Sequence, residues 1–340
     1  MPEPFLALAT DLVRFQARTN PRYPALVVAR GEDPASMTGS SAPAVPTDVF
    51  KMVRYASFPE ALETKVFRTS GTTVGDRGAH AFRDLGTYDR GALAFGRASL
   101  IGDLPASSPP VDVLVLGPSP EELPDSSLTH MNALFVERFG SRGPAFLLED
   151  GVFDLPRFDE RIARAIVGGY PILLLGTSFA FVHLLDELGD HGFRLPQGSR
   201  VMQTGGFKGR SRVVDGAVLR KSLAQTFGLP ERAIVSEYGM TELSSQFYER
   251  TAVDATARPG VLHEPPWARV VPVHPETLVP VADGEVGIAR IEDLLNVDSA
   301  FAILTQDRVR RSPGGFELLG RAEGAPPRGC SLSIDELLGR

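Results

Sequence analysis

Between residues 111 and 236, short apolar runs alternate with segments of helical periodicity, and this alternation is the strongest constraint on the fold. Buried strands are predicted at residues 111–116, 145–148, 171–176, 200–203 and 233–236. Helices are predicted at residues 127–140, 158–167, 177–188 and 215–227. Strands that are apolar throughout are typical of parallel sheets covered by helices. The sequence therefore predicts an α/β fold with layered, largely parallel sheets.

The rest of the chain has different residue patterns. Residues 3–17 have helical spacing, and residues 19–50 are rich in proline and glycine and predict a long irregular segment. After residue 255, short valine- and isoleucine-rich runs are separated by Pro, Gly and Asp, which predicts a small antiparallel sheet. We therefore divide the chain into an α/β core (1–254), a β-rich subdomain (255–323) and a C-terminal tail (324–340).

Composition excludes several classes of function. The net charge of −7 argues against nonspecific nucleic-acid binding. No apolar run approaches the roughly 20 residues of a membrane helix, and the N-terminus has no basic region before an apolar one, so no signal peptide is expected. Cys330, the single cysteine, excludes an intramolecular disulfide and a Cys-based zinc site, which suits the cytoplasm.

A loop of hydroxyl residues and glycines follows a predicted strand at residues 65–67. Its sequence is Arg68-Thr69-Ser70-Gly71-Thr72-Thr73-Val74-Gly75-Asp76-Arg77-Gly78. Backbone N–H groups and hydroxyls in such a loop can cradle phosphate oxygens, because glycine lets the backbone approach a ligand closely. The spacing is not that of a Walker loop. Taken alone, the loop is as compatible with a solvated turn as with a phosphate site.

Two further stretches combine polar side chains with strand ends. The first is Ser236-Glu237-Tyr238-Gly239-Met240-Thr241-Glu242-Leu243, in which an aromatic ring, a hydroxyl and a carboxylate follow one another closely. The second is Leu304-Thr305-Gln306-Asp307, with Gly320-Arg321 a short distance later. An aromatic face can stack on a purine, and a carboxylate suits a hard cation shared with phosphates. The alternatives are a strand-end turn with a solvated Glu242 and a turn role for Asp307.

The three stretches, in this order, resemble the motifs of the acyl-adenylate-forming (ANL) superfamily. That superfamily has a phosphate loop S-[ST]-G-T-T-G-x-P-K-G, then Y-G-x-T-E, then T-G-D followed by G-R. Val74, Arg77 and Gln306 depart from these patterns. Within the superfamily the chain is most similar to the acyl-protein synthetases of bacterial luminescence (LuxE-like). Those proteins share the Arg and His after the phosphate loop, a T-G-G-[FW]-K-G-R turn and a short chain.

The resemblance implies a role for each matching residue. The phosphate loop would hold the phosphates of ATP through Thr69, Ser70, Gly71, Thr72 and Thr73. The second motif would place Tyr238 and Gly239 at adenine, Thr241 near the phosphates and Glu242 on Mg²⁺. The nucleoside would also contact Gly205, Gly206, Asp307 and Arg321. Lys208 or Arg210 would neutralise charge at the α-phosphate, although both are equally well read as surface cations.

The sequence gives fewer indications of how the acyl group would be transferred and to which acceptor. The superfamily usually has a further C-terminal domain with a lysine that contacts the adenylate, and we expect this domain to be absent because the chain ends soon after Glu323. The luminescence synthetases use a cysteine near the C-terminus as acyl acceptor, and Cys330 beside Arg328 matches it. Cys330 is equally compatible with an inert buried thiol. A partner protein or coenzyme A is the alternative acceptor.

The sequence leaves the roles of two histidines open. His183, near Thr177-Ser178-Phe179, falls where the superfamily shapes its acyl pocket, but a core histidine is the preferred interpretation. The role of His80, just after the phosphate loop, is undecided.

The sequence thus predicts an enzyme that activates a fatty or aromatic acid with ATP and Mg²⁺ and passes the acyl group to a thiol. The predicted catalytic residues are Thr72, Lys208, Arg210, Thr241, Glu242 and Cys330. One alternative is a nucleotide-binding scaffold that has lost catalysis, and another is an acyltransferase that uses an acid activated elsewhere.

Overall fold

The computed structural model describes residues 4–31, 33, 36–69, 77–105, 107, 109–205 and 215–322. Its α-helices are α1 (Pro4–Thr19), α2 (Tyr23–Ala29), α3 (Val49–Met52), α4 (Gly86–Leu100), α5 (Ser127–Phe139), α6 (Leu155–Gly168), α7 (Ser178–Leu188) and α8 (Gly216–Phe227). Its strands are β1 (Val45–Pro46), β2 (Lys65–Arg68), β3 (Ala79–Phe82), β4 (Asp112–Leu116), β5 (Leu148–Glu149), β6 (Val152–Phe153), β7 (Ile172–Thr177), β8 (Arg200–Thr204), β9 (Ile234–Tyr238), β10 (Phe247–Tyr248), β11 (Val261–Leu262), β12 (Ala268–Val273), β13 (Val286–Asp293), β14 (Ala302–Ser312) and β15 (Gly315–Arg321).

The described residues form two compact units. Unit 1 contains the residues up to Gly91, the segment Met240–Gln246 and the residues from His263 onward. Unit 2 contains Ala92–Gly239 and Phe247–Leu262. None of the described helices is both long and apolar enough to span a bilayer.

The sheet of unit 2 has the strand order β10-β9-β8-β7-β4. Strands β4, β7, β8 and β9 are parallel, and β10 joins the edge in the antiparallel direction. Every residue of β4, β7 and β8 is buried, as expected where helices cover both faces of a parallel sheet. The predicted layered, largely parallel sheet is confirmed.

Helix boundaries in unit 2 follow from side-chain capping. The Thr177 hydroxyl accepts the N–H of Ala180 at 3.0 Å, so α7 begins as predicted. The Asp215 carboxylate accepts the N–H of Ala217 at 2.9 Å at the start of α8. Helix α8 ends at Gly228, whose φ of 62° is favourable for glycine and strained for other residues. The Thr177 cap thus places the start of α7 directly after β7.

The main sheet of unit 1 is antiparallel. Strand β13 pairs with β12 and β14, and β14 pairs with β15, while the short β1 lies parallel to β14. Buried and more exposed positions alternate along β13 and β14, which is the pattern of a sheet with one face against the core. This confirms the predicted small antiparallel sheet. Unit 1 also contains the hairpin formed by β2 and β3.

Two local predictions were wrong. Residues 145–148 make only an isolated bridge, at Phe146, to Val115, because the chain then turns and Leu148 pairs with Phe153 in a separate hairpin. Residues 19–50 contain helix α2 within the segment predicted to be irregular. Its proline lies in the first helical turn, where the missing N–H has no intrahelical partner to lose. The division at residues 254 and 323 remains a prediction.

A buried ion pair fixes α6 against β4 in unit 2. Asp112 is 0% exposed and Arg161 is 2% exposed. The guanidinium binds the Asp112 carboxylate in a fork, with Nε at 3.1 Å from Oδ2, and also donates to the carbonyl of Pro144 at 2.7 Å. Removing one member of such a pair leaves an uncompensated charge in the core.

We therefore expect Arg161→Met to lower the free energy of unfolding by about 3–5 kcal/mol, since Asp112 would remain buried without its partner. The double variant Asp112→Asn, Arg161→Met should lose clearly less, because no charge is left in the core. Urea unfolding of both proteins measures this difference. An equal or greater loss in the double variant would show that packing, and not the orphaned charge, dominates.

Candidate active site

The phosphate loop predicted from the sequence begins and ends at a closed hairpin in unit 1. Strands β2 and β3 pair from Lys65 to Arg68. Beyond them, the Thr69 N–H donates to the Gly78 carbonyl at 2.8 Å, and the Gly78 N–H donates to the Thr69 hydroxyl at 2.7 Å. Arg77 donates to the Thr69 carbonyl at 2.7 Å. Thr69 thus closes the base of the loop.

Several predicted site residues lie outside the described residues. They are Ser70, Gly71, Thr72, Thr73, Gly206, Lys208, Arg210 and Cys330. Their roles remain predictions from the sequence.

The turn that carries Thr241 and Glu242 is buried in unit 1, and its backbone is held by side chains from other segments. The carbonyl of Thr241 is 2.8 Å from Nδ1 of His80, which lies on β3. The carbonyl of Glu242 accepts the side-chain amide of Asn296 at 3.0 Å. Thr241 and Glu242 are 2% and 1% exposed. Both carbonyls of the motif are therefore paired with buried polar side chains.

Asp293, the last residue of β13, holds the next part of the same turn. Its carboxylate accepts the Ser244 N–H at 3.0 Å and the Ser245 hydroxyl at 2.7 Å. It also accepts the Leu295 N–H at 2.9 Å. Burial raises the pKa of Asp293 to about 6, and the hydrogen bonds to Ser245 and the nearby N–H groups oppose this rise. The segment after Glu242 is thereby fixed to the antiparallel sheet.

The third motif lies where β14 pairs with β15. Asp307 and Arg321 are register partners, and Arg321 Nη1 is 3.9 Å from the Asp307 carboxylate. Gln306 stands where the superfamily has glycine. Its side chain accepts from Arg321 at 2.5 Å and donates to Asp48 at 3.1 Å. The structure brings Asp307 and Arg321 together, and Gln306 orients the guanidinium.

Unit 2 places the remaining predicted residues at the carboxyl ends of parallel strands. Tyr238 is the last residue of β9, is 8% exposed and packs against Phe247 with ring centroids 6.0 Å apart. Gly205 directly follows β8 with a φ of 78°, a conformation that favours glycine. Its carbonyl accepts the Ser178 hydroxyl at 3.1 Å. In open α/β sheets, ligands bind at such strand ends.

A buried carboxyl group lies at the same strand ends of unit 2. Glu237, next to Tyr238, accepts a hydrogen bond from the Thr204 hydroxyl. Burial raises the pKa of Glu237 to about 7, and the hydrogen bond from Thr204 opposes this rise. Strands β8 and β9 bring the two residues together, since Thr204 and Glu237 are register partners.

The sequence did not single out Asn296, Asp293 or the Glu237–Thr204 pair. One signal was available for Asn296, which lies between Leu295 and Val297, because a polar residue in an apolar stretch is buried only with hydrogen-bond partners. Its partner Glu242 lies 54 residues away in the sequence, so the signal could not have identified it. His183 is half-buried and packs edge-on against Phe179 at 5.2 Å.

Among the described residues, the donor set fits a magnesium ion that is shared with phosphates. Within the described ranges, no group of three or more His, Cys, Asp or Glu side chains could hold a metal ion. Mg²⁺ commonly takes one or two carboxylates and completes its octahedron with phosphate oxygens and water. Glu242 is a carboxylate of that kind, fixed through its backbone.

The chain is similar to a known protein family over most of its length. A family model described as "Acyl-protein synthetase, LuxE" matches residues 33–339. The chain belongs to this family. It is also 26% identical over 312 residues to the long-chain-fatty-acid–luciferin-component ligase of Aliivibrio fischeri, covering 87% of this chain and 78% of the relative. The predicted family is confirmed.

Solved structures share the fold. An open conformation of 2-hydroxyisobutyryl-CoA ligase, in complex with 2-HIB-AMP and CoA, matches with a TM-score of 0.66 and 12% identity, over 94% of this chain and 75% of that one. ATP-bound MatB from Rhodopseudomonas palustris matches with a TM-score of 0.54 and 16% identity over 85% of this chain. The chain spans about half (51%) of the MatB chain. The family description and the name of the Aliivibrio relative are consistent with the predicted ligase.

The raised pKa of Glu237 gives a pH-dependent prediction. The folded protein keeps a proton on Glu237 up to a pH of about 7, whereas the unfolded chain loses it near pH 4.5. The carboxyl group therefore lowers stability progressively as the pH rises between these values, by about 3 kcal/mol in total. Glu237→Gln removes this loss, so its stability relative to wild type should increase by about 2–3 kcal/mol from pH 5 to pH 8.

Chemical unfolding of the two proteins at both pH values measures the change. Glu187→Gln, at an exposed position of α7, serves as the control and should show no comparable change. A pH-independent difference for Glu237→Gln would mean that Glu237 ionises normally in the folded protein.

Proposed function

We propose that the protein activates a fatty acid with ATP and transfers the acyl group to a thiol. The observation that carries this proposal is the buried turn of Thr241 and Glu242, whose carbonyls are held by His80 and Asn296. A turn fixed in this way presents a hydroxyl and a carboxylate in a defined arrangement before any ligand binds. Membership of the acyl-protein synthetase family and the name of the Aliivibrio relative support a fatty acid as the substrate.

In the first step, a carboxylate oxygen of the acid attacks the α-phosphorus of ATP, pyrophosphate leaves, and an acyl-adenylate forms. The protein contributes by positioning the reactants and by neutralising the negative charge that spreads over the phosphate oxygens. Thr69, Thr72 and their neighbours would hold the departing phosphates, and Lys208 or Arg210 would lie at the α-phosphate. A magnesium ion bound to Glu242 would neutralise phosphate charge.

Residues of the second and third motifs would hold the nucleoside. Asp307 can accept hydrogen bonds from both ribose hydroxyls, and Arg321, oriented by Gln306, adds a donor. Tyr238 would pack against adenine at the end of β9, next to Gly239. Gly205, whose positive φ favours glycine over residues with a side chain, would leave room on the adenine side.

In the second step, a thiolate attacks the acyl carbonyl carbon and AMP leaves, which gives a thioester. We propose Cys330 as the first acceptor, because it is the single cysteine of the chain and the resemblance to the luminescence synthetases implies an acceptor cysteine near the C-terminus. A partner protein or coenzyme A would then take the acyl group. We also propose the cytoplasm as the location, since a free reactive thiol requires a reducing compartment.

The adenylation step is tested by exchange of labelled pyrophosphate into ATP in the presence of fatty acids of different chain lengths. We expect Glu242→Gln to reduce the exchange rate at least tenfold, because the variant loses the negative charge that Mg²⁺ requires. Glu285→Gln, at an exposed position of unit 1, should exchange at the wild-type rate.

The same assay separates the alternatives. A catalytically inactive scaffold would be protected by ATP against thermal unfolding but would show no exchange, and an acyltransferase would show neither. Full exchange activity in Glu242→Gln would overturn the assignment of the metal ligand.

The acceptor is tested separately with Cys330→Ser. We expect this variant to retain pyrophosphate exchange, since the adenylate forms without the thiol. It should lose hydroxylamine-sensitive labelling by a radioactive fatty acid, because an oxygen ester, if one formed, would resist mild hydroxylamine far better than a thioester. Intact-protein mass spectrometry would detect the acyl group directly. Unchanged labelling in Cys330→Ser would place the acceptor elsewhere.

A further inference from the structure

In unit 1, the side chain of His80 joins the β2–β3 hairpin to the Thr241–Glu242 turn. His80 lies on β3, shortly after Gly78 closes the base of the loop. Its Nδ1 is 2.8 Å from the carbonyl of Thr241. A carbonyl oxygen only accepts, so Nδ1 must carry the proton. The hydrogen bond therefore runs from the hairpin to the motif.

The surroundings of His80 keep the ring neutral and fixed. The residue is 1% exposed, and its ring packs against Phe82 with centroids 4.2 Å apart and edge-on against Phe50 at 5.9 Å. Burial lowers the pKa of His80 to about 4, and the hydrogen bond to Thr241 opposes this fall. At physiological pH the ring thus carries a single proton, and this proton is engaged with Thr241.

We propose that His80 is a positioning residue that ties the β2–β3 hairpin to the Thr241–Glu242 turn, so that the turn meets ATP in one fixed arrangement. This inference rests on the proposed adenylation. In this role His80 acts through the hydrogen bond from its Nδ1 to the Thr241 carbonyl and not through a contact with substrate or metal. Its effect on the reaction passes through the position of the turn.

Two substitutions separate the hydrogen bond from the packing. His80→Asn keeps a side-chain N–H close to the place of Nδ1, and His80→Phe keeps a ring but has no donor. We expect His80→Phe to lower kcat of pyrophosphate exchange at least tenfold, since a buried carbonyl loses its partner. His80→Asn should stay within about threefold of wild type. The KM for the fatty acid should be unchanged in both.

A matched control lies directly across the hairpin. Phe67 on β2 is the register partner of His80 and is fully buried. Phe67→Leu removes ring volume from the same hairpin, so it should lower the melting temperature without the tenfold loss of kcat. If Phe67→Leu loses as much activity as His80→Phe, or if His80→Asn loses as much as His80→Phe, the hydrogen bond is not responsible and the proposal is overturned.

Chemical rescue gives an independent test. His80 lies on the wall of a cavity of about 100 Å³ that is also lined by Ser244 and Asn296. His80→Ala enlarges this space by the volume of the missing ring. Added imidazole should restore at least part of the exchange activity of His80→Ala near pH 8.5, whereas 1-methylimidazole, which has no N–H when neutral, should not. Equal rescue by both compounds would contradict the role of the donor.

Hydrogen exchange keeps the inference testable if the wild-type protein shows no pyrophosphate exchange. In that case the proposed adenylation fails, but the tie predicts faster amide exchange of residues 240–246 in His80→Phe than in wild type or Phe67→Leu. The amide of Leu243, which donates to the Met240 carbonyl, is the specific reporter. Unchanged protection in His80→Phe would overturn the tie regardless of the activity of the protein.

Discussion

The proposed site depends on how unit 1 pairs the backbone carbonyls of Thr241 and Glu242. Both residues are buried, and a buried carbonyl without a partner costs about 1–3 kcal/mol. His80 and Asn296 supply the donors. The turn therefore has one favourable conformation, and the hydroxyl of Thr241 and the carboxylate of Glu242 start from a backbone that does not need to reorganise when a ligand binds. Such preorganisation is the main way in which a protein stabilises developing charge.

Buried carboxyl groups lie close to several of the predicted site residues. Asp293 and Glu237 both have raised pKa values because burial disfavours their charged forms. Each carboxyl group therefore lowers the stability of the folded protein near neutral pH. Asp293 binds Ser244, which follows the Thr241–Glu242 turn. Glu237 binds Thr204, the last residue of β8 and the neighbour of Gly205. This combination of unfavourable burial and defined loop geometry is typical of functional sites.

The parts of the fold that were predicted correctly are those whose signal is local. The apolar run of β7 and the Thr177 cap of α7 lie within a few residues, so periodicity and capping preferences reveal them. The contacts that shape the site are nonlocal, since Asp293 binds Ser244 and His80 binds Thr241 across sequence separations of 49 and 161 residues. A single sequence contains no pattern that relates such positions. The candidate residues were identified through family motifs, because such motifs mark residues that come together in the folded protein although they are distant in the sequence.

Gln306 illustrates how a departure from a motif can be understood only in the structure. The superfamily has glycine at this position, and from the sequence the change counts toward a protein that has lost catalysis. In the structure, the Gln306 side chain accepts from Arg321 and donates to Asp48, two contacts that glycine could not make. Arg321 is thereby held beside its register partner Asp307. Since the backbone of Asp307 also donates to Thr305 at 3.0 Å, both proposed ribose contacts are supported by neighbouring side chains. The substitution thus adds a support to the pair, and it argues for a retained nucleotide site more than for a degenerate one.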